Sequence, residues 1–343
     1  MNAPPRSPLP LRALRWALLA AAALGILLLL AWTTLAIHYS NLPWPSLRNG
    51  LAGTWLGGFI LAFLLLRRRG RTALVFLAAS CAIGVWWALI PASNDRDWVP
   101  ENAVQPEVTF QGDRITVRHI RDFEYRSEKD FTPRYYDRTF DLADAVSLDL
   151  VKSRWAGPAI AHTMLSFGFR DGWHLVLSVE TRTEKGEAQG ALPGLFKQFE
   201  LIYILADERD LIRLRTNFRG EEVYLFPFRG TPEKVRLVLR DVLEKAERLR
   251  REPEFYNTLT HNCTLGLMPH FDRIRDKRPP FDIRLLLNGF IDTLVFEREG
   301  LDTVLPMEET QALSRIDLRV KGDPNPAGFS EKIRTHFPKL RGQ

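Results

Sequence analysis

The chain has 343 residues, with 47 Lys and Arg against 41 Asp and Glu, and it contains only two cysteines. So few cysteines exclude a disulfide-framed fold. The net charge of +6 has a local source: residues 1–94 hold eight arginines and neither acid nor lysine, which leaves 39 bases against 41 acids in the remainder. No basic folded domain is left to bind nucleic acid, and none is expected as a partner.

Three nearly uncharged segments occupy the first hundred residues: 13–37, 52–66 extended by 45–47, and 72–90. Each approaches the ~20 apolar residues that a transmembrane helix needs. The second is the weakest, because Arg48 and Asn49 stand near its start. The first has too long an apolar core for a cleaved signal peptide and no clean small-x-small site behind it, so it is expected to be retained. Arg6, Arg12 and Arg15 stand before or just inside the first segment, and Arg67, Arg68, Arg69 and Arg71 between the second and third. The loop between the first and second holds only Arg48. Short arginine-rich segments stay cytoplasmic. The expectation is therefore a multi-pass membrane protein: residues 1–92 form an anchor of three transmembrane helices, and residues 93–343 form one domain on the outer side, which for the inner membrane of a Gram-negative bacterium is the periplasm. Membrane lipids are its expected neighbours. Cys81, inside the third segment, reads as a packing residue.

Beyond residue 94 charged residues and Pro100 and Pro106 mark a linker, and strand patterns come after it. Residues 107–110 and 114–117 flank a turn at Gln111-Gly112-Asp113. Further strands are expected at 139–142 and 147–151. A central hairpin joins 161–169 to 174–182 through Arg170-Asp171-Gly172. With the glycine left-handed, Phe169 pairs with Trp173 and His162 falls opposite Glu180 on one face. Strands at 199–206 and 222–227 come next. A helix then opens with Thr231 as cap and Pro232 in its first turn. Its stripe of Val235, Val238, Leu239, Val242, Leu243, Ala246 and Leu249 faces a core. Residues 330–340, with Ile333, Phe337 and Leu340, are expected to dock on the domain. The class is α+β.

Cys263 is the only cysteine of this domain, in the run Tyr256-Asn257-Thr258-Leu259-Thr260-His261-Asn262-Cys263-Thr264. Thr260 and Asn262 are capping types and an apolar stretch comes next, so Cys263 is expected to open a helix whose free N–H groups favour a thiolate. Pro269 limits that helix. A nucleophilic thiolate needs a histidine to take its proton. The spacing leaves His162, His174, His261 and His270 open as candidates, and gives no role to His38, His119 or His336. There is no metal-ligand spacing and no phosphate-binding glycine loop, so no cofactor is expected.

The runs SNDRDW (93–98), GPAIAHTMLSF (157–167), FKQFELIY (196–203), DERDLIRLRT (207–216) and YNTLTHNCT (256–264) resemble a bacterial membrane-anchored periplasmic family. That family is named for the N-terminal periplasmic domain of Lnb, the lipoprotein N-acyltransferase. The three-helix anchor departs from the Lnb layout. The order of histidine first and cysteine later also resembles circularly permuted papain-like proteins, relatives of NlpC-type amidases and of lecithin retinol acyltransferase. The resemblance implies a permuted papain-like (NlpC-type) domain with a central antiparallel sheet. It assigns Cys263 as nucleophile and His162 as base, with Glu180 or else His174 as the third member. It implies acyl transfer through a thioester, from phospholipid to the amino terminus of a lipoprotein. A cysteine amidase or peptidase of the cell wall and a non-catalytic binding or scaffold module are the competing readings.

Overall fold

The computed structural model describes residues 9–275, 277–323 and 325–343. It falls into two compact units, Met1–Pro91 with Phe196–Gln198, and Ala92–Leu195 with Phe199–Gln343. Arg6 lies outside the described residues, as does the side chain of Arg12.

The first unit contains α1 (Leu9–His38), α2 (Pro45–Leu65) and α3 (Arg69–Leu89). Among the described residues, two stretches are long and apolar enough to cross a membrane: Ala13–His38, with mean hydropathy 2.3, and Arg69–Leu89, with 1.9. α2 is as long as α3 but falls short, diluted by Arg48, Asn49 and its glycines. Large apolar side chains such as Trp16, Leu28, Leu64 and Leu74 project outward. Inside, the Trp55 Nε1–H donates to Thr33 Oγ1 at 2.8 Å, and Phe59 and Phe63 meet the buried Phe76 edge-on. Arg48 Nη1 donates to the Ser40 carbonyl at 3.0 Å, which partners the one charge near the start of α2.

Among the described residues, the second unit is built on ten strands: β1 (Glu107–Gln111), β2 (Arg114–Arg121), β3 (Glu124–Tyr125), β4 (Phe131–Thr132), β5 (Tyr135–Asp141), β6 (Ala145–Arg154), β7 (Ala161–Phe169), β8 (His174–Arg182), β9 (Glu200–Ala206) and β10 (Glu222–Pro227). β3 and β4 pair with each other. The others form one sheet in the order β1-β2-β9-β8-β7-β6-β10, with β5 also on β2. The expected antiparallel sheet is in fact mixed. The end of β2 meets β9 in parallel, Arg121 against Ala206. The junction is fastened by side chains from distant segments: Arg121 makes two hydrogen bonds to Asp210, at 2.8 and 2.9 Å.

Between and after the strands lie α4 (Glu208–Arg213), α5 (Pro232–Arg251), α6 (Met268–Asp272), α7 (Ile291–Glu297), α8 (Met307–Ser314), α9 (Asp317–Val320), α10 (Phe329–Lys332) and α11 (Phe337–Leu340). The sheet buries both faces. On one, the whole apolar stripe of α5, from Val235 to Leu249, packs with Leu267 and Phe271 on Leu165, Leu177, Val179 and Tyr203. On the other, Leu211 and Ile212 of α4 and the C-terminal Ile333, Phe337 and Leu340 pack on Met164, Val176 and Ile202. The C-terminal segment therefore docks, as two short helices.

Candidate active site

The β7–β8 hairpin has the expected geometry. Phe169 N donates to Trp173 O at 2.9 Å, and Gly172 takes a left-handed φ of 83°. The register runs from Gly168↔His174 to Met164↔Ser178 and stops there. Beyond that point the strands part, with His162 on one and Glu180 on the other.

Side chains bridge the opening. His162 Nε2 lies 2.6 Å from Ser178 Oγ, and Ser178 Oγ donates to Glu180 Oε1 at 2.7 Å. A hydroxyl has one proton, so Ser178 accepts from His162 and the imidazole carries its hydrogen on Nε2. Nδ1 is then left with its lone pair, and among the described residues it makes no hydrogen bond. Burial, with the Arg215 guanidinium nearby, pushes His162 down to about 3. Burial alone would raise Glu180, but His162 and Arg215 hold it down at about 2. Arg215 Nη2 donates to Glu180 Oε1 at 3.3 Å.

Cys263 arrives from a capped turn. Asn262 Oδ1 accepts from Thr264 N at 3.0 Å and from Leu265 N at 2.8 Å, which fulfils the expected cap. The helix beyond it is shorter than expected: a 3₁₀ turn at Leu265–Leu267 leads into α6, which has Pro269 in its first turn. So little helix supplies little dipole. The thiol is buried, and burial pushes it up, aided by the negative charge of Glu180. The resting pair is a neutral thiol and a neutral imidazole, not the thiolate that a long helix would favour.

The sulfur sits against the β7 backbone on either side of His162. Its Sγ lies 4.0 Å from Ala161 O, and the Thr163 backbone favours the charged sulfur. Ala161 N is occupied by Asn288 Oδ1 at 2.8 Å, so these backbone groups face away from β6, toward the space β8 has vacated. Sγ fills that space. Thr163 Oγ1 and Thr264 Oγ1 are 2.9 Å apart, so the Cys263 turn lies on the Thr163 face. The His162 side chain leaves β7 toward the other face. No hydrogen bond joins Sγ to His162 among the described residues.

The remaining candidates lie elsewhere. His174 is six residues along the hairpin from His162, ~20 Å at strand rise, beside Glu208 at 3.9 Å. His261 is exposed and bonds Thr260 Oγ1 at 2.8 Å. His270 is structural: Nδ1 is 2.7 Å from Asp241 Oδ2, Nε2 is 3.0 Å from the Tyr203 hydroxyl, and that hydroxyl donates to Gly266 O at 3.0 Å. The chain Asp241–His270–Tyr203 ties the turn behind Cys263 to β9.

Three site residues escaped sequence reasoning. Ser178 shares a strand face with Glu180, and period-two spacing could have found it. Arg215 lies within the run DERDLIRLRT but is given no role there, and Asn288 comes from a segment with no local motif. Asn288 is 6% exposed, and its Nδ2 donates to Cys263 Sγ at 3.2 Å. Around the site, Ile160, Leu259, Leu287 and Phe290 are exposed. Their segments are linked by Gly289 N donating to Ala159 O at 3.0 Å and by the Asn288–Cys263 contact.

Residues 131–289 match the model of a family described as the Lnb N-terminal periplasmic domain. The span includes β7, β8, Cys263 and Asn288. No curated protein and no solved structure matches the chain. The matched family is the one that the chain's motif runs resemble.

Proposed function

We propose that the protein is a periplasmic thiol acyltransferase held in the inner membrane by three transmembrane helices, and that its second unit is a permuted papain-like domain using Cys263 as nucleophile, His162 as base and Glu180 as orienting carboxylate. One observation carries the reading. The Glu180–Ser178–His162 chain leaves the lone pair of Nδ1 open, and the only cysteine sulfur of the domain lies against the β7 backbone beside that histidine. Triad logic asks for this combination: a nucleophile, a base of fixed tautomer, and a carboxylate that fixes it.

The Cys263 and His162 side chains leave by opposite faces of β7, so in this reading the Cys263 proton reaches His162 Nδ1 around the end of that strand as Sγ attacks an ester carbonyl, and Glu180, through Ser178, stabilises the imidazolium that forms. The thioester is then resolved by an amine. Phospholipid as donor and a lipoprotein amino terminus as acceptor fit the membrane anchor, the family and the exposed apolar side chains beside the site. A peptidoglycan strand is polar and would gain little from Leu259 or Phe290, which weighs against the cell-wall amidase reading.

The test is expression in a strain depleted of its own lipoprotein N-acyltransferase, with mass spectrometry of a reporter lipoprotein. A third acyl chain should appear with the parent and vanish with Cys263→Ala or His162→Ala. Full acylation by either folded variant would refute the assignment.

A further inference from the structure

The Asn288 amide is held in one orientation. Its Oδ1 accepts from Ala161 N at 2.8 Å, so its Nδ2 must be the group that meets Cys263 Sγ at 3.2 Å. The backbone beneath it is equally constrained. Gly289 N donates to Ala159 O at 3.0 Å, and a methyl group on Gly289 would collide with the Pro158 carbonyl oxygen. The Gly289 carbonyl accepts from Lys152 Nζ at 3.3 Å. That ammonium pairs with Asp292, and both side chains are fully buried. Asp292 in turn accepts from Gln311 Nε2 at 2.9 Å.

A rigid, buried N–H is thus aimed at a neutral thiol, which is a weak acceptor. A buried donor so poorly matched is costly at rest. It would be far better matched by a thiolate, or by a charged oxygen growing on the carbon bonded to Sγ. An interaction that strengthens as charge develops is what lowers a barrier. We propose that Asn288 is a catalytic residue of this site, its amide stabilising first the Cys263 thiolate and then the oxyanion of the attacked carbonyl. The proposal rests on Cys263 being the nucleophile.

In the step it serves, the Cys263 proton passes to His162 Nδ1 and Sγ bonds the acyl carbon. The C=O π pair moves onto oxygen, where Asn288 Nδ2–H donates to it. Collapse restores the C=O, breaks the bond to the leaving alcohol oxygen, and returns the proton from His162 to that oxygen. The acyl chain is left on Cys263.

The test uses the full chain in lipid nanodiscs with Cys81→Ser, so that Cys263 is the remaining thiol. Its alkylation by iodoacetamide is followed against pH by mass spectrometry, and acyl transfer to a lipopeptide is measured in the same preparation. Asn288→Asp keeps the acceptor for Ala161 N while removing the donor. It should move the alkylation midpoint up by about one pH unit or more and lower kcat by about a hundredfold with KM little changed. Asn288→Ala should act in the same direction. A parental alkylation profile in folded Asn288→Asp would overturn this assignment alone. Acyl transfer that survives Cys263→Ala would overturn the nucleophile reading, and the two failures are read from different variants.

Discussion

The proton on His162 is placed by a residue two positions from its carboxylate partner. Ser178 spends its hydrogen on Glu180 and so must accept from His162. Ser178→Ala should free the imidazole to adopt either tautomer, lowering kcat by roughly 10–100-fold and altering its pH profile while the fold stays intact. Titration gives a second expectation. The folded pKa of His162 lies at about 3 against an ordinary 6.5. Between those values the unfolded chain binds a proton that the folded chain does not, so stability falls as pH drops through this window. Glu180, lowered to about 2 from 4.5, adds a loss that begins only below 4.5. Unfolding measured from pH 7 to 4.5 should show a parent that weakens more steeply than His162→Phe, by on the order of 2–3 kcal/mol at the acid end. Cys263, His162 and Glu180 could be proposed as candidates from sequence because a lone cysteine, a hairpin register and a set of motif runs mark them, with His174 as the alternative to Glu180. Asn288 could not, because only the fold carries it to the sulfur, 25 residues along the chain.

Among the elements, α5 was the most legible. Seven apolar residues at helical spacing specify one buried face, and all seven are buried in the structure. Leu239→Ala should cost about 2–5 kcal/mol of unfolding free energy. The turn carrying Cys263 was legible only in part. The Asn262 cap was readable, but Pro269 and the 3₁₀ geometry leave too little helix to favour a thiolate. The parallel closure of β2 on β9 could not be read locally, since it depends on Arg121 meeting Asp210, 89 residues away. The pairing of Lys152 with Asp292 is of the same long-range kind. Lys152→Met would strand a buried carboxylate and should destabilise by about 3–5 kcal/mol, whereas Lys152→Met with Asp292→Leu should recover much of that loss. Denaturant titration of the two variants would decide it.

For the molecule as a whole, composition leads to the expectation of an anchor over residues 1–92, while the first compact unit comprises Met1–Pro91 and Phe196–Gln198. Composition could not show that Phe196–Gln198 joins the first unit, where Phe196 stacks on Tyr39 and tilts against Trp32. A tripeptide inside a long domain leaves no mark on hydropathy. The hydrogen bond from Arg48 to the Ser40 carbonyl bears on a question of parity. Arginines cluster at both ends of the stretch containing α1 and α2, at Arg12 and Arg15 and again at Arg67–Arg69. For both clusters to lie in the cytoplasm, α2 must cross despite its diluted hydropathy, and a partnered Arg48 makes that crossing less costly. Three crossings are odd and put the two chain termini in different compartments; two would return both to the same one. Alkaline phosphatase fused after Gln343 should therefore be active, and fused within residues 67–71 inactive. The compartment in which Cys263 lies thus turns on the weakest of three helices, and on the single arginine near its start.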